Sequence, residues 1–197
     1  MGTDTLEDAE GLLNDQPETV RAFLAVGVPD LQRERLAPFL ASCRALAPGF
    51  RWVGPDSLHL TIRFLGRIDA GRLEELAAAL RALTVKPFPA SLEGVGTFGP
   101  LSAVRVVWLG LAAGSDDLAG LAGEVEARCA VAGFEPEDRP YHPHLTLARS
   151  RQRRGDRLPD LPPPPELPGW TVAGFRLYRS RLGPGGATYS VLEEFGG

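Results

Sequence analysis

No run of apolar residues in this chain is long enough to span a bilayer, so a membrane-spanning helix is not expected. The N-terminus lacks the basic start and apolar stretch of a secretory signal, which points to the cytoplasm. Cysteine is scarce: Cys43 and Cys129 lie far apart and form no C-x-x-C pair. That argues against a disulfide framework and leaves two reduced thiols in or near a core. Lysine is scarcer still, with Lys86 alone among 21 basic residues. The cation of this protein is arginine, whose planar fork matches phosphate oxygens and stacks on bases. Histidine occurs only at His59, His142 and His144.

What is present suits one domain, or two small lobes sharing a core: 197 residues, 44% of them hydrophobic. The formal net charge of −4 is unevenly placed. Residues 1–18 hold Asp4, Glu7, Asp8, Glu10, Asp15 and Glu18, with no basic residue. Without those six acids, 21 basic residues face 19 acidic ones, and the body carries +2. Residues 1–19 are acidic and aperiodic and read as a disordered tail, and 20–197 as a single bilobal domain.

Periodicity predicts a buried strand over Arg21–Val28, then a helix from a cap at Asp30 to about Leu46. Leu58–Leu65 alternates as a strand. Asp69 can cap a helix that carries Leu73, Leu76, Ala77 and Leu80 on one face. Strands follow around Phe88–Val95 and Val104–Leu109, split by a Gly99-Pro100 turn. Ser115 opens a helix with Leu118, Leu121, Ala122, Val125 and Cys129 on one side, and His144–Arg149 is again a strand. Trp170–Tyr178 and Ala187–Phe195 form a hairpin about Gly183–Gly186. The stretch Ser150–Gly169, with Arg151, Arg153, Arg154, Arg157 and Pro162–Pro165, is a long surface loop. It is either a spacer or a basic flap that touches an RNA backbone.

One pattern occurs twice. His59-Leu60-Thr61-Ile62 and His144-Leu145-Thr146-Leu147 are separated by 85 positions, from 59 to 144, and each lies in a strand with similar flanking elements. Two related lobes are expected. Alternation puts His59, Thr61 and Arg63 on one face and Leu60, Ile62 and Phe64 on the other, which leaves Phe64 with the core. By the same rule His144 and Thr146 share a face, and Arg149 falls on the opposite one unless the strand twists or ends there. If the lobes pack about a pseudo-twofold axis, the two His–Thr pairs meet across a groove. Opening a cyclic phosphate needs a base for water and an acid for the departing ribose oxygen, on opposite sides of phosphorus. Histidine serves either role near neutral pH, and a threonine hydroxyl can donate to a non-bridging oxygen. His142, two residues before His144, raises the alternative of a three-histidine zinc site, but no fixed spacing recruits His59 to it.

These motifs, with RAFLAVGVP, RWVGPDSLHLTIRFLG, VGTFGP, VRVVWLGL, GFEPEDRPYHPHLTLAR and FRLYRSRLGPGGATYSVLEEF, resemble the two-histidine phosphoesterase superfamily. Within it the chain is similar to the RNA 2′,3′-cyclic phosphodiesterases once named 2′–5′ RNA ligases. The resemblance runs from about Arg21 to Phe195. It implies an α+β, bilobal duplicated fold, with two antiparallel sheets lining a central cleft and helices outside. It implies hydrolysis of an RNA terminal 2′,3′-cyclic phosphate to a 2′-phosphate, without metal or other cofactor, and a weak reverse 2′–5′ ligation. His59 becomes the proton donor and His144 the acceptor. Thr61 and Thr146 are the expected phosphate contacts, and Arg149 and Arg63 the candidate substrate contacts. A monomer acting on RNA, away from membranes, is expected. Two alternatives stay open: a phosphodiesterase for small cyclic nucleotides or ADP-ribose cyclic phosphate, and an idle module that binds RNA ends.

Overall fold

A computed structural model describes residues 19–183 and 186–196. Its elements are β1 (Thr19–Gly27), α1 (Asp30–Leu46), β2 (Phe50–Trp52), β3 (His59–Asp69), α2 (Ala70–Arg81), β4 (Phe88–Phe98) and β5 (Val106–Ala113). Then come α3 (Ser115–Val131), β6 (Leu145–Ser150), β7 (Trp170–Val172), β8 (Phe175–Gly183) and β9 (Gly186–Phe195). A 3-10 turn at Pro55–Ser57 precedes β3. The expected tail at 1–18 and the hairpin turn at 184–185 lie outside the described residues, while Thr19 already belongs to β1.

The strands form one antiparallel sheet in the order β7-β4-β5-β6-β3-β1-β8-β9, with β2 added on β6. The two expected sheets are its two halves. In one, β1 leads through α1 to β3, its antiparallel neighbour. In the other, β5 leads through α3 to β6 in the same way. The halves join where Leu60 pairs with Leu145. These residues are 85 positions apart, like the two histidines, so each is the other's counterpart in the duplication. A residue pairs with its own counterpart only on a twofold axis, and the seam of the sheet is therefore that axis.

The helices pack on one face of the sheet. Each buries the residues its spacing marks, such as Leu36, Phe39, Leu40 and Cys43 on α1 and Leu73, Leu76, Ala77 and Leu80 on α2. They share a continuous core with Leu24, Leu60, Leu145 and Leu147 from the strands. Asp69 caps α2 by accepting from the Arg72 amide at 2.9 Å. Asp30 does not cap α1: Pro29 occupies that position, and Asp30 lies in the first turn with its carboxylate on Arg33. Gly114 opens α3 at φ +81, where a Cβ would meet the Pro89 carbonyl at 2.4 Å. Both cysteines are free and buried.

Two predicted elements differ. The strand expected over Trp170–Tyr178 breaks after Val172: β7 pairs with β4 in one half, and β8 with β1 in the other. The chain thus crosses between halves at Ala173-Gly174, which periodicity cannot show. The Arg/Pro-rich stretch 151–169 holds no helix or named strand, but it is anchored. Leu158, Leu161 and Leu167 pack against the core, and Val104 and Asp156 exchange backbone hydrogen bonds.

Candidate active site

His59 and His144 occupy matching places beside the seam. Antiparallel register about the Leu60–Leu145 pair sets His59 across from Thr146 and His144 across from Thr61. All four side chains are half-buried and stand on the face away from the helices. Nδ1 of His59 donates to the Ser57 carbonyl at 2.8 Å, and Nδ1 of His144 to the His142 carbonyl at 2.7 Å. A carbonyl only accepts, so each Nδ1 carries the hydrogen. Each Nε2 is then the nitrogen left to take or give a proton. Tyr141, just before this segment, donates its hydroxyl to the Thr61 carbonyl at 2.8 Å and ties the second motif to the first strand.

Burial is the main reason that both imidazoles are poor bases for a proton. His59 is pushed down from 6.5 to about 4, by burial first, against its bond to Ser57, with the charges of Arg149 and His144 adding to the fall. His144 is lowered too, by burial, against its bond to the His142 carbonyl, with His142 and Arg149 adding to it. In the ligand-free state both rings are neutral at pH 7.

The two candidate arginines part company, because each motif strand carries a β-bulge. Opposite Leu24 and Ala25, β3 supplies Arg63 and Thr61, and Ile62 is the extra residue. Opposite Val107 and Trp108, β6 supplies Ala148 and Thr146, and Leu147 is the extra one. A bulge shifts the alternation by one residue. Ile62 and Arg63 are therefore buried in succession, as are Leu147 and Ala148. Arg63, only 5% exposed, turns to the helix face, where it pairs with Glu126 on α3 and donates to the Glu135 carbonyl. It does not reach the histidines, which corrects the expectation from strict alternation. Phe64 is corrected in the opposite sense: it is 55% exposed and on the His59 side, its ring 6.1 Å from that of Phe23. Arg149 is exposed on the histidine face, and its charge acts on His59, His144 and Tyr189.

Aromatic rings wall both halves, and the strand-by-strand reading missed them. Phe23 lies 4.7 Å from His59, stacked on Tyr178 at 5.1 Å and edge-on to Tyr189 at 4.9 Å. Tyr189 also meets His59 edge-on at 5.2 Å. Around His144 stand Phe98 at 5.0 Å and Trp108 at 6.1 Å. Phe23 and Trp108 share the offset of 85 that relates the motifs, the one signal that could have found them. Gly96 faces Trp108 across β4 and β5, and a Cβ there would sit 2.2 Å from the indole. His142 stacks near His144, ring centroids 6.1 Å apart. Among the described residues, no three His, Cys, Asp or Glu side chains converge as a metal site requires, and no helix is long and apolar enough to cross a membrane.

The comparisons fit this duplicated geometry. The model of the LigT like Phosphoesterase family matches twice, at residues 26–108 and 109–189. The chain is 36% identical over 193 residues to the RNA 2′,3′-cyclic phosphodiesterase of Thermus thermophilus, covering 89% of each. It is 30% identical to the protein of that name in Escherichia coli, over 90% of this chain and 97% of the relative. The crystal structure of E. coli LigT complexed with 3′-AMP superposes with a TM-score of 0.79 at 30% identity, over 91% of this chain and 98% of that one. A sequence match in both halves, and a shared fold over nearly the whole described chain, make this protein a member of the LigT-like phosphoesterase family.

Proposed function

We propose that this protein opens the 2′,3′-cyclic phosphate at the 3′ end of RNA and leaves a 2′-phosphate. The observation that carries the reading is the twofold placement of His59 and His144 beside the seam, close enough for the charge of one to act on the other. Each is held at Nδ1 by a carbonyl and has Nε2 unengaged among the described residues. The relatives bearing that activity in their names lend it support.

In this reading the phosphate lies between the two imidazoles. Nε2 of His144 takes a proton from water as its oxygen attacks phosphorus. The bond from phosphorus to O3′ breaks, and Nε2 of His59 delivers a proton to O3′. Such in-line displacement needs the two groups on opposite sides of phosphorus. Thr61 and Thr146 donate to the non-bridging oxygens, and Arg149 offsets their charge. A phosphate anion so placed raises both histidine pKa values from their ligand-free positions and lets His59 hold its proton. Phe64, beside Phe23, offers a face for the terminal base. No step here calls on a metal or other cofactor. With a 5′-hydroxyl in place of water and the roles unchanged, the same groups would join it to an RNA 2′,3′-cyclic phosphate: His144 takes the hydroxyl proton, the bond from phosphorus to O3′ breaks, His59 protonates O3′, and a weak 2′–5′ ligation results.

The test is mass spectrometry of an oligonucleotide ending in a 2′,3′-cyclic phosphate. We expect the gain of one water and a product that is a 2′-phosphate. A 3′-phosphate product would break the assigned geometry, and an unchanged substrate would leave an RNA-end-binding module.

A further inference from the structure

The small strand β2 was not expected from the sequence, and it changes what lies around Arg149. Its three residues pair with the end of β6: Phe50 with Ser150, Arg51 with Arg149, and Trp52 with Ala148. Directly paired residues project to the same face of a sheet. Phe50, Trp52 and Ala148 are buried on the helix side, so Arg51 and Arg149 stand together on the cleft side, both exposed. Two residues beyond Arg149, Arg151 donates its backbone amide to the Gly49 carbonyl at 3.0 Å. Its Nε donates to the Pro48 carbonyl at 3.2 Å, which anchors the guanidinium at the strand end. None of the three forms an ion pair within 4.0 Å among the described residues. The carboxylate near this end is Asp156, which accepts from the Arg157 amide at 2.8 Å and lies 3.5 Å from the Gln152 side-chain amide.

Three adjacent cations beginning beside the histidines are costly by mutual repulsion unless an anion accompanies them. Successive positions along a strand are about 3.3 Å apart, so Arg149 and Arg151 are two steps, roughly 7 Å, from each other. Arg51, paired directly with Arg149, is nearer to it than Arg151 is. On the other half the counterpart of Arg149 is Phe64, and aromatic rings stand between His59 and the exposed pair Arg21–Arg67. The cationic row thus continues from the phosphate position on one side only.

We propose that Arg51 and Arg151 bind the phosphodiesters upstream of the terminal cyclic phosphate, so that the enzyme selects polynucleotide ends over mononucleotides. The inference rests on the reaction proposed above and adds its substrate class. The strand runs 5′-ward from Arg149, which holds the terminal phosphate. Arg51 meets the first internal phosphodiester, and Arg151 the second. Of the basic loop, Arg151 belongs to this row, whereas Arg157 lines a separate cavity with Val95, Leu101 and Pro162.

The test measures kcat/KM on 2′,3′-cyclic phosphates of one to four nucleotides at several salt concentrations. We expect kcat/KM to rise from one nucleotide to two and from two to three, then level off. Arg51→Ala should remove the first rise and Arg151→Ala the second, each by roughly two- to tenfold, the scale of an exposed charged contact. Each should lower the log–log salt slope on the trinucleotide by about 0.7, the value for one single-strand phosphate contact. Arg51→Lys should keep part of the gain. Equal kcat/KM at all lengths in the unmodified enzyme would overturn the inference while leaving the reaction intact. So would a loss that appears instead in an Arg21→Ala/Arg67→Ala variant. Failure to open any of the four substrates would instead remove the reaction itself.

Discussion

Ile62 and Leu147 are the extra residues of two β-bulges at corresponding places in the two halves, three residues after His59 and His144. Each bulge turns the residue two positions further on into the cleft. In one half that residue is Phe64, and in the other Arg149. The same backbone device thus presents a ring beside His59 in one half and a cation beside His144 in the other. Replacing Phe64 by Ala should weaken binding of the terminal nucleoside by about 1–3 kcal/mol, the range for loss of a base stack. KM for an oligonucleotide should rise while kcat changes little. A fall in kcat with unchanged KM would give Phe64 a role other than stacking.

Arg63 and Glu126 provide the contrast, a charged pair that serves the fold. Arg63 is 5% exposed, and Glu126→Ala would leave its guanidinium with the Glu135 carbonyl as its remaining partner. Stranding a buried charge costs about 3 kcal/mol. Chemical denaturation should show that loss, whereas kcat at a temperature where the variant is folded should be within about twofold of the parent, since ΔΔG‡ is small for groups outside the site. A drop in kcat of a hundredfold would place this pair in the catalytic path.

The pH dependence follows from the direction of the histidine shifts. In the proposed mechanism the reactive form holds a proton on His59 and none on His144. In the free enzyme His59 is pushed down to about 4 and His144 is lowered as well. Raising pH above these values removes the proton that His59 must donate. Accordingly kcat/KM, which reports the free enzyme, should decline from mildly acidic pH upward. The alkaline limb of kcat should lie at higher pH, because bound phosphate favours protonated His59. Arg149→Gln deletes a positive charge that lowers both rings, so the kcat/KM limb should move upward even as KM rises. A kcat/KM profile flat from pH 5 to 9 would show that no such proton is needed.

These features were not equally legible in the sequence. The strands and helices announced themselves through period and capping, as with Asp69 and the Leu73–Leu80 face. His59 and His144 stood out as candidates because a motif that means little once means much when repeated, and the fold sets them at matching places beside the seam. The bulges at Ile62 and Leu147 left no trace, since an aliphatic residue fits a bulge and a regular strand equally well. Parity counted through them misplaced Arg63 and Phe64 and left Arg149 undecided. Strand β2 is too short for a periodic signal. The rings around His59 come from β1, β8 and β9, and only the folded sheet brings those strands together.

The six acids of residues 1–18 set up an electrostatic prediction that needs no structure for them. Deleting the segment changes the formal charge from −4 to +2. RNA affinity should rise at low salt and converge with that of the full chain at high salt, as screening shortens the reach of charge. The melting temperature should stay within a few degrees, because a polar, aperiodic segment has little apolar area to bury. A large fall in melting temperature would show that the segment packs on the body.

The assignment of acid to His59 and base to His144 can be separated by changing the leaving group. Positioned proton transfer is worth roughly 10²–10⁴-fold per group, so Ala at either position should nearly silence the enzyme on an ordinary cyclic phosphate. The two variants then look alike. In a substrate whose 3′-bridging oxygen is sulfur, the group that departs is a thiolate, the conjugate base of a far stronger acid than an alcohol. It leaves without a proton. His59→Ala should recover much of its activity there, since the missing acid is no longer needed. His144→Ala should stay slow, because water still requires its base. Recovery in His144→Ala alone would reverse the two roles. Recovery in neither would mean that the imidazoles act chiefly by holding the phosphate charge, and the free Nε2 atoms would then be donors to its oxygens and not carriers of protons.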